Sequence, residues 1–206
     1  MSAIATPPAP AGTTTPPPAG VGPKPWKWTR EQYVEFHNRG FFRDRRVQLI
    51  FGEIIEMPKQ KWPHVAGCRK TADRLRTIFA GSGWVSEQSP LPFADSAPEP
   101  DVWVVPGRFE DCTDHPTTAL LVVEVSDSTL AFDLTTKAEL YATSGVPEYW
   151  VLDVSGRQLV VHRDPQPLAA ALGAVAYQSR VTLAATDSVS PLHAPIVTLA
   201  IADLLP

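Results

Sequence analysis

The sequence predicts a single domain of the mixed α/β class, on three observations. The chain has 206 residues, of which 44% are hydrophobic, and this length and composition suit one hydrophobic core. Extended apolar runs alternate with segments of helical periodicity from Trp26 onward. One run, at residues 120–125, is apolar at almost every position, which is typical of a central strand covered on both faces.

The first part of the chain differs sharply from the rest. Residues 1–25 consist mainly of Ala, Pro, Thr and Gly and contain almost no large apolar side chain. Such a segment cannot bury enough surface to offset the entropy that is lost on ordering. We therefore predict a disordered tail over residues 1–25 and a folded domain over residues 26–206.

The elements at the start of the domain follow from turn residues and periodicity. Thr29 and Gln32 form a capping-box pattern that opens a short helix, and Gly40 is expected to end it. Two β-rich runs at residues 47–50 and 53–57 flank a Phe-Gly pair, which predicts a hairpin. A helix over residues 64–79 comes next, with apolar positions at Val65, Cys68, Ala72, Leu75 and Phe79.

The remainder of the chain alternates in the same way. A helix over residues 134–144 is predicted to end at Gly145. Ser155-Gly156 is predicted to turn a hairpin, and the Pro- and Ala-rich residues 165–173 are interpreted as a loop. Extended segments are predicted at residues 84–92, 101–105, 120–125, 149–154, 158–163 and 176–183.

Composition limits the classes of function. The formal net charge of −4 provides no broad positive field, so contact with nucleic acid must be local. The two cysteines, Cys68 and Cys112, form no CxxC pair and have no His cluster beside them, so neither a zinc site nor a disulfide is predicted. No run approaches the roughly 18 apolar residues of a membrane span, and no signal-peptide pattern opens the chain. We expect no membrane partner and a soluble, cytoplasmic protein with reduced thiols.

Three residues carry the candidate chemistry, and each has an alternative interpretation. Asp101 heads a short apolar strand, where it can be presented to a site or can simply end a turn. Glu124 lies inside an apolar run, and a buried carboxylate needs a partner or a metal unless the strand frays before it. Lys137 shares a helix face with apolar residues three positions before it and three and four positions after it. It therefore faces the sheet, unless its ammonium snorkels to solvent.

Together these side chains suit the hydrolysis of a phosphodiester bond. Two carboxylates can hold Mg²⁺, which polarises the phosphate and lowers the pKa of its water. A lysine ammonium can orient the water and offset the developing negative charge. The chemistry requires Asp101, Glu124 and Lys137 to converge, and their spacing in the sequence does not establish convergence.

Several motifs in a fixed order carry a resemblance to a known family. They are Gln48-Leu49-Ile50-Phe51-Gly52-Glu53-Ile54-Ile55-Glu56-Met57, His64, Pro100-Asp101, Val123-Glu124-Val125-Ser126, Lys137 and Gly145-Val146-Pro147-Glu148-Tyr149-Trp150-Val151-Leu152-Asp153. In this pattern the chain resembles the Uma2 family, which is described as a family of restriction endonucleases. The resemblance covers residues 26–205, and the Gly-Val-Pro-Glu-Tyr-Trp string is its most distinctive part.

The resemblance implies a restriction-endonuclease-like fold of the PD-(D/E)XK superfamily, in which a mixed β-sheet is flanked by helices. It implies that Asp101 and Glu124 are the acidic ligands of Mg²⁺, for which Mn²⁺ is the expected substitute. In the general superfamily pattern the lysine follows the acid by two residues on the same strand, where this chain has Ser126. Lys137 matches a variant in which the following helix supplies the lysine. The resemblance also implies a DNA substrate, and a homodimer because two strands must be cut.

Three further positions match the family pattern and keep two interpretations each. Glu53 is expected either to reach the site as another acidic ligand or to pair within the hairpin. His64 stands near a helix start, where it contacts substrate or, as is favoured, caps and packs. Gln88 lies in a strand that borders the site, where it contacts water on the metal or, as is favoured, only the sheet edge.

The leading hypothesis is a Mg²⁺-dependent endonuclease that hydrolyses phosphodiester bonds of DNA. One alternative is a nuclease-like fold that binds nucleic acid or a protein without cutting. Another is a structural module in which Asp101, Glu124 and Lys137 lie far apart. The sequence shows no zinc finger, helix-turn-helix signature or basic stripe, so it assigns no sequence specificity.

Overall fold

The computed structural model of the protein describes residues 22–168 and 175–206. The predicted disordered tail therefore lies outside the described residues except for its last four, 22–25. The helices are α1 (Arg30–Asn38), α2 (Trp62–Ile78), α3 (Leu130–Phe132) and α4 (Ala138–Thr143), with a π-helical turn, Asp133–Lys137, between α3 and α4. The strands are β1 (Val47–Ile50), β2 (Glu53–Glu56), β3 (Gly83–Glu87), β4 (Val102–Pro106), β5 (Leu121–Ser126), β6 (Glu148–Asp153), β7 (Gln158–Pro167), β8 (Val175–Ala184), β9 (Ser188–Val189) and β10 (Leu199–Ala200).

A six-stranded mixed sheet forms the centre of the fold, with the strand order β3-β4-β5-β6-β7-β8. Strands β5 and β6 are parallel, and the other neighbouring pairs are antiparallel. Strand β5 lies inside the sheet and all of its residues are buried, as its apolar run predicted. The mixed sheet with its flanking helices confirms the predicted fold class.

The two faces of the sheet carry separate apolar clusters. Side chains alternate along a strand, so Val102 of β4 faces one cluster and Trp103 faces the other. Helix α2 covers the first face, together with the C-terminal segment that ends at Leu205. Helix α4 covers the second face through Tyr141. Because β5 borders both clusters, any charged side chain on it is removed from bulk water.

The β1–β2 hairpin and α1 form a third cluster beside the sheet. The predicted capping box of α1 is present, with hydrogen bonds in both directions between Thr29 and Gln32. The hairpin turns at Phe51 and Gly52, whose φ angles of 49° and 73° are both positive, as a two-residue I′ turn requires. A β-bridge from Leu49 to Ala97 attaches the hairpin to the segment that leads into β4.

Some predicted boundaries are wrong for identifiable reasons. The helix predicted over residues 134–144 begins earlier, at Leu130, because the wide π-helical turn interrupts the regular helical period. The extended segment predicted over residues 84–92 ends as a strand at Glu87, since Gln88 has a φ of +46° and leaves the sheet. Val65, expected on the buried face of α2, is exposed.

The predicted loop over residues 165–173 is also wrong in part. Strand β7 continues through Pro167, where Pro165 pairs with Tyr177 of β8 and Pro167 with Val175. A proline cannot donate to a ladder, yet it is tolerated at strand ends near a sheet edge, and β8 is an edge strand. Residues 169–173 of the predicted loop lie outside the described residues.

A buried histidine makes the stability of the fold sensitive to pH. His162 of β7 lies opposite Arg180 of β8, and its ring packs against Tyr149 and Tyr177 at centroid distances of 5.4 and 5.7 Å. Glu139 of α4 lines the same cavity. Burial, with a smaller effect of Arg180, lowers the pKa of His162 from 6.5 to about 4. Between these two pKa values the unfolded chain binds more protons than the folded protein.

We therefore expect the free energy of unfolding to fall as the pH drops through this window. The contribution of neutral His162 is fully present above 6.5 and is lost as the pH approaches about 4. His162→Phe should flatten this dependence, because phenylalanine does not titrate and can still pack against the two tyrosines. Urea unfolding at several pH values measures the effect, and His193→Gln, at an exposed histidine, is the control. Equal pH slopes for wild type and His162→Phe would contradict the assignment.

Candidate active site

A cleft lies where the start of α2, the β1–β2 hairpin and the ends of β4 and β5 meet. Asp101, Glu124 and His64 line it, so the structure brings together three of the predicted site residues. Residues 57–61, between β2 and α2, form one wall. The cleft encloses about 440 Å³, part of it open to solvent. We call this region the cleft below.

Asp101 is held rigidly at the entrance to β4. Its Oδ2 accepts a hydrogen bond from the backbone N–H of Val125 at 2.8 Å. His64 Nε2 lies 3.1 Å from the same oxygen. The carboxylate is thus fixed to the neighbouring strand β5 and to α2, and it is buried. Asp101 does more than end a turn, because it connects two strands and a helix around the cleft.

Glu124 and Lys137 form a buried ion pair. Lys137 Nζ donates a hydrogen bond to Glu124 Oε1 at 2.7 Å, and the Tyr141 hydroxyl donates to the same oxygen at 2.6 Å. The side chains of Lys137 and Glu124 are only 1% and 6% exposed, so the lysine does not snorkel and β5 does not fray at Glu124. Burial raises the pKa of Glu124 to about 7; Lys137 opposes the rise, and the charge of Asp101 adds to it.

Asp133 is a further acidic residue of the cleft, which the sequence analysis missed. It lies in the π-helical turn, is buried, and its Oδ2 accepts a hydrogen bond from Thr129 Oγ1 at 2.6 Å. Burial raises its pKa, although Thr129 and Lys137 oppose the rise. A signal was present in the sequence, because Asp133 stands four positions before Lys137 and such residues share one side of a helix.

The donor set of the cleft fits a hard divalent cation. Asp101, Glu124 and Asp133 are three buried carboxylates, and Lys137 is the one buried lysine or arginine among the described residues. The cleft also contains the buried Oε1 of Gln48, which has no hydrogen-bonding partner in the described part of the chain. Buried, unpaired oxygens need compensation, and Mg²⁺ and Mn²⁺ prefer oxygen ligands of this kind.

Three basic residues line the cleft as well. They are Arg46, Lys59 and Lys61, and Lys61 Nζ lies 3.8 Å from Asp127 Oδ2. They come from the end of the segment before β1 and from the β2–α2 connection, so they form no run in the sequence. This small basic group agrees with the expectation that a chain of net charge −4 contacts a polyanion only locally.

The structure separates two of the tentative site residues from the cleft. Glu53 is exposed on β2 and forms an ion pair with Lys27 at 2.6 Å. Gln88 has an exposed side chain and follows β3, and its backbone N–H donates to the carbonyl oxygen of Pro100 at 3.0 Å. Neither residue lines the cleft. His64, in contrast, lines the cleft and contacts Asp101, so its role exceeds packing.

One expectation about the cysteines is wrong. Cys68 does have a histidine beside it, because its Sγ lies 3.5 Å from Nδ1 of His64. The two residues are four positions apart on α2 and therefore occupy one side of the helix. With Asp101 they form a group whose ligand atoms all lie within 4.8 Å of one another. Cys112 is exposed, and both thiols are free, as predicted.

The mixed sheet and its acidic cleft belong to the nuclease-like α/β class of folds. The chain is a member of the Uma2 family, described as "Putative restriction endonuclease", whose family profile matches residues 30–201. The family resemblance stated from the motifs is thereby confirmed.

A solved structure supports the same fold. It is the crystal structure of "a putative nuclease belonging to DUF820 from Anabaena variabilis", with a TM-score of 0.62 and 17% sequence identity. The match covers 78% of this chain and 90% of that chain, and at this identity it establishes the fold alone. A comparison with curated proteins found no match. Among the described residues, no helix has both the length and the apolar character that crossing a bilayer requires.

Proposed function

We propose that the protein is a metal-dependent endonuclease that hydrolyses phosphodiester bonds of DNA, with Asp101, Glu124 and Lys137 as its catalytic residues. One observation carries the proposal: the Lys137–Glu124 pair is buried, with 2.7 Å between Nζ and Oε1, and Glu124 lines the same cleft as Asp101. A buried ion pair seldom adds net stability, since desolvation offsets the attraction. A catalytic role gives a reason for its presence.

Asp101 and Glu124 would hold the cation, Mg²⁺ or Mn²⁺. The hydrogen bonds of Asp101 go to Oδ2, and those of Glu124 go to Oε1. Oδ1 of Asp101 and Oε2 of Glu124 are therefore the oxygens that remain for a cation among the contacts of the described residues. When bound, a divalent cation polarises the phosphate and promotes attack by water. Asp133 and the amide oxygen of Gln48 add further oxygen donors in the cleft.

Lys137 has two roles in this proposal. Its ammonium stabilises the ionised form of Glu124, which burial alone would protonate. Its positive charge also offsets the negative charge that develops on the phosphate during attack, in surroundings where water does not screen it. Tyr141 fixes Oε1 of Glu124 from the second side. Lys137 thus replaces a strand lysine, in agreement with Ser126 at that strand position.

The basic residues of the cleft support a nucleic-acid substrate. Arg46, Lys59 and Lys61 lie beside the acidic group, where they would neutralise phosphates on either side of the bond to be cut. Such contacts position a backbone without reading its sequence. The description of the family as restriction endonucleases supports DNA as the nucleic acid.

A cleavage assay tests the proposal. We expect the protein to nick or linearise plasmid DNA in the presence of Mg²⁺ or Mn²⁺ and to leave it intact in EDTA. Single-stranded DNA and RNA are assayed in parallel, and a protein with both Asp101→Asn and Glu124→Gln controls for contaminating nuclease. Binding of DNA without cleavage in any metal would favour the non-cutting alternative. Cleavage of RNA alone would overturn the assignment of DNA.

A further inference from the structure

We propose that His64, Cys68 and Asp101 form a second cation site that selects a soft divalent ion such as Zn²⁺, and that its occupation withdraws Asp101 from the catalytic cation. The ligand atoms of these three residues all lie within 4.8 Å of one another. Glu124 does not belong to this group, because Lys137 and Tyr141 hold its Oε1 on the other side. The inhibitory effect rests on the proposed nuclease function, whereas the binding of the soft ion does not.

Rigid elements position all three ligands. His64 and Cys68 lie one turn apart on α2, and Asp101 is anchored by the backbone of Val125 in β5. Gly67, between the two α2 ligands, allows the helix to approach β5, because a Cβ atom there would lie 2.9 Å from Cγ1 of Val125. The close contact of α2 with β5 thus holds the imidazole and the thiol beside the carboxylate.

The chemistry of the donors separates the two sites. Thiolate and imidazole favour Zn²⁺ and Cd²⁺, whereas Mg²⁺ takes oxygen ligands almost alone. The group of His64, Cys68 and Asp101 offers sulfur, nitrogen and oxygen, while Asp101 with Glu124 offers only oxygen. His64 and Asp101 also line the cleft, so solvent can supply the fourth ligand of a tetrahedral ion. Since Asp101 is common to both sites, the two ions compete for it.

Metal binding at this site exchanges a proton for the cation. Burial, with the charges of Asp101 and Glu124, raises the pKa of the Cys68 thiol, so the sulfur carries its proton before the ion arrives. The S–H proton passes to solvent as the sulfur–metal bond forms, and no oxidant or reductant is needed. The hydrogen bond between His64 and Asp101 gives way to bonds with the ion.

The order Asp101–His64–Cys68 also resembles a nucleophilic triad. Burial argues against that role, because Cys68 is 5% exposed and is not among the residues that line the cleft. A nucleophile must touch its substrate, whereas a metal ligand can lie behind the surface. A cation site is therefore the function that these positions support.

Cadmium titration of the full chain tests the site without reference to cleavage. We expect Cd²⁺ to produce the ultraviolet charge-transfer absorbance of a cadmium–thiolate bond in wild type, and Cys68→Ser to abolish it. Cys112→Ser is the matched control, since it removes the exposed thiol and should leave the signal unchanged. His64→Gln should weaken binding of Cd²⁺ by more than the roughly 10–100-fold that the loss of an indirect partner costs.

Two outcomes would overturn the site: no thiolate absorbance in wild type, or a signal that disappears only in Cys112→Ser. Thermal melts of Cys68→Ser and Cys68→Ala show whether each variant folds. Cadmium NMR of wild type reports sulfur ligation directly, so the test survives if both variants fail to fold.

Inhibition by zinc tests the coupling between the sites. In Mn²⁺-supported cleavage, we expect Zn²⁺ to inhibit wild type and Cys112→Ser and to lose this effect in Cys68→Ser, each rate being expressed relative to the same protein without Zn²⁺. Equal inhibition of all three proteins would overturn the competition for Asp101. If no protein cleaves DNA, the proposed nuclease function fails, while the cadmium titration still decides the soft-metal site.

Discussion

Lys137→Met is expected to reduce single-turnover cleavage of DNA by roughly 10²–10³-fold, the usual effect of removing one preorganised electrostatic contact. Methionine retains much of the apolar stem that packs on the sheet, so the core around it should remain filled. Glu124 would be left buried without its ammonium, yet it can take up a proton readily because its pKa is already raised to about 7, and Tyr141 still donates to it. We therefore expect the fold to survive and Mn²⁺ to bind.

Two variants control this prediction. Lys70→Met makes the same substitution on α2, where the lysine Nζ contacts the carbonyl oxygen of Leu205 away from the cleft, and it should cleave at the wild-type rate. Ser126→Ala removes the residue at the usual lysine position of the superfamily and should also retain cleavage. Wild-type cleavage by Lys137→Met would exclude a catalytic lysine on this helix. A collapse of cleavage only in Ser126→Ala would return the missing function to the strand.

Asp101→Asn and Glu124→Gln are expected to abolish the stabilisation of the protein by Mn²⁺. A ligand at 100 times its Kd stabilises the folded state by about 2.7 kcal/mol, which corresponds to a rise of about 5–10 °C in Tm for a chain of this size. Both substitutions keep the shape of the side chain and remove the charge that a cation requires. Thermal melts with and without Mn²⁺ measure the gain in each protein.

A buried acid outside the cleft provides the control. Glu148 of β6 accepts hydrogen bonds from Arg163 and from Trp150, so Glu148→Gln should lower Tm without removing the gain from Mn²⁺. An unchanged Mn²⁺-dependent rise in both Asp101→Asn and Glu124→Gln would remove these residues as ligands. The comparison separates loss of the cation from loss of the fold.

Much of the architecture could be predicted because short-range rules dictate it. The capping box at Thr29, the positive φ angles at the turn of the β1–β2 hairpin and the apolar run of β5 are local properties. The π-helical turn at Asp133–Lys137 could not be predicted, since a pattern based on the regular helical period contains no sign of a wider turn. The same turn carries Asp133, which explains why that acid was missed.

The sequence by itself determined the fold class, the family and the three residues of the proposed catalytic group, because strand burial, helix periodicity and motif order are written along the chain. The tertiary structure alone decided which side chains share the cleft. It placed Glu53 and Gln88 outside, added Asp133 and Gln48, and brought Cys68 of α2 beside Asp101 through His64. Residues far apart in the chain meet only through the pairing of β4 with β5 and the packing of α2 on the sheet, and no local pattern encodes these contacts.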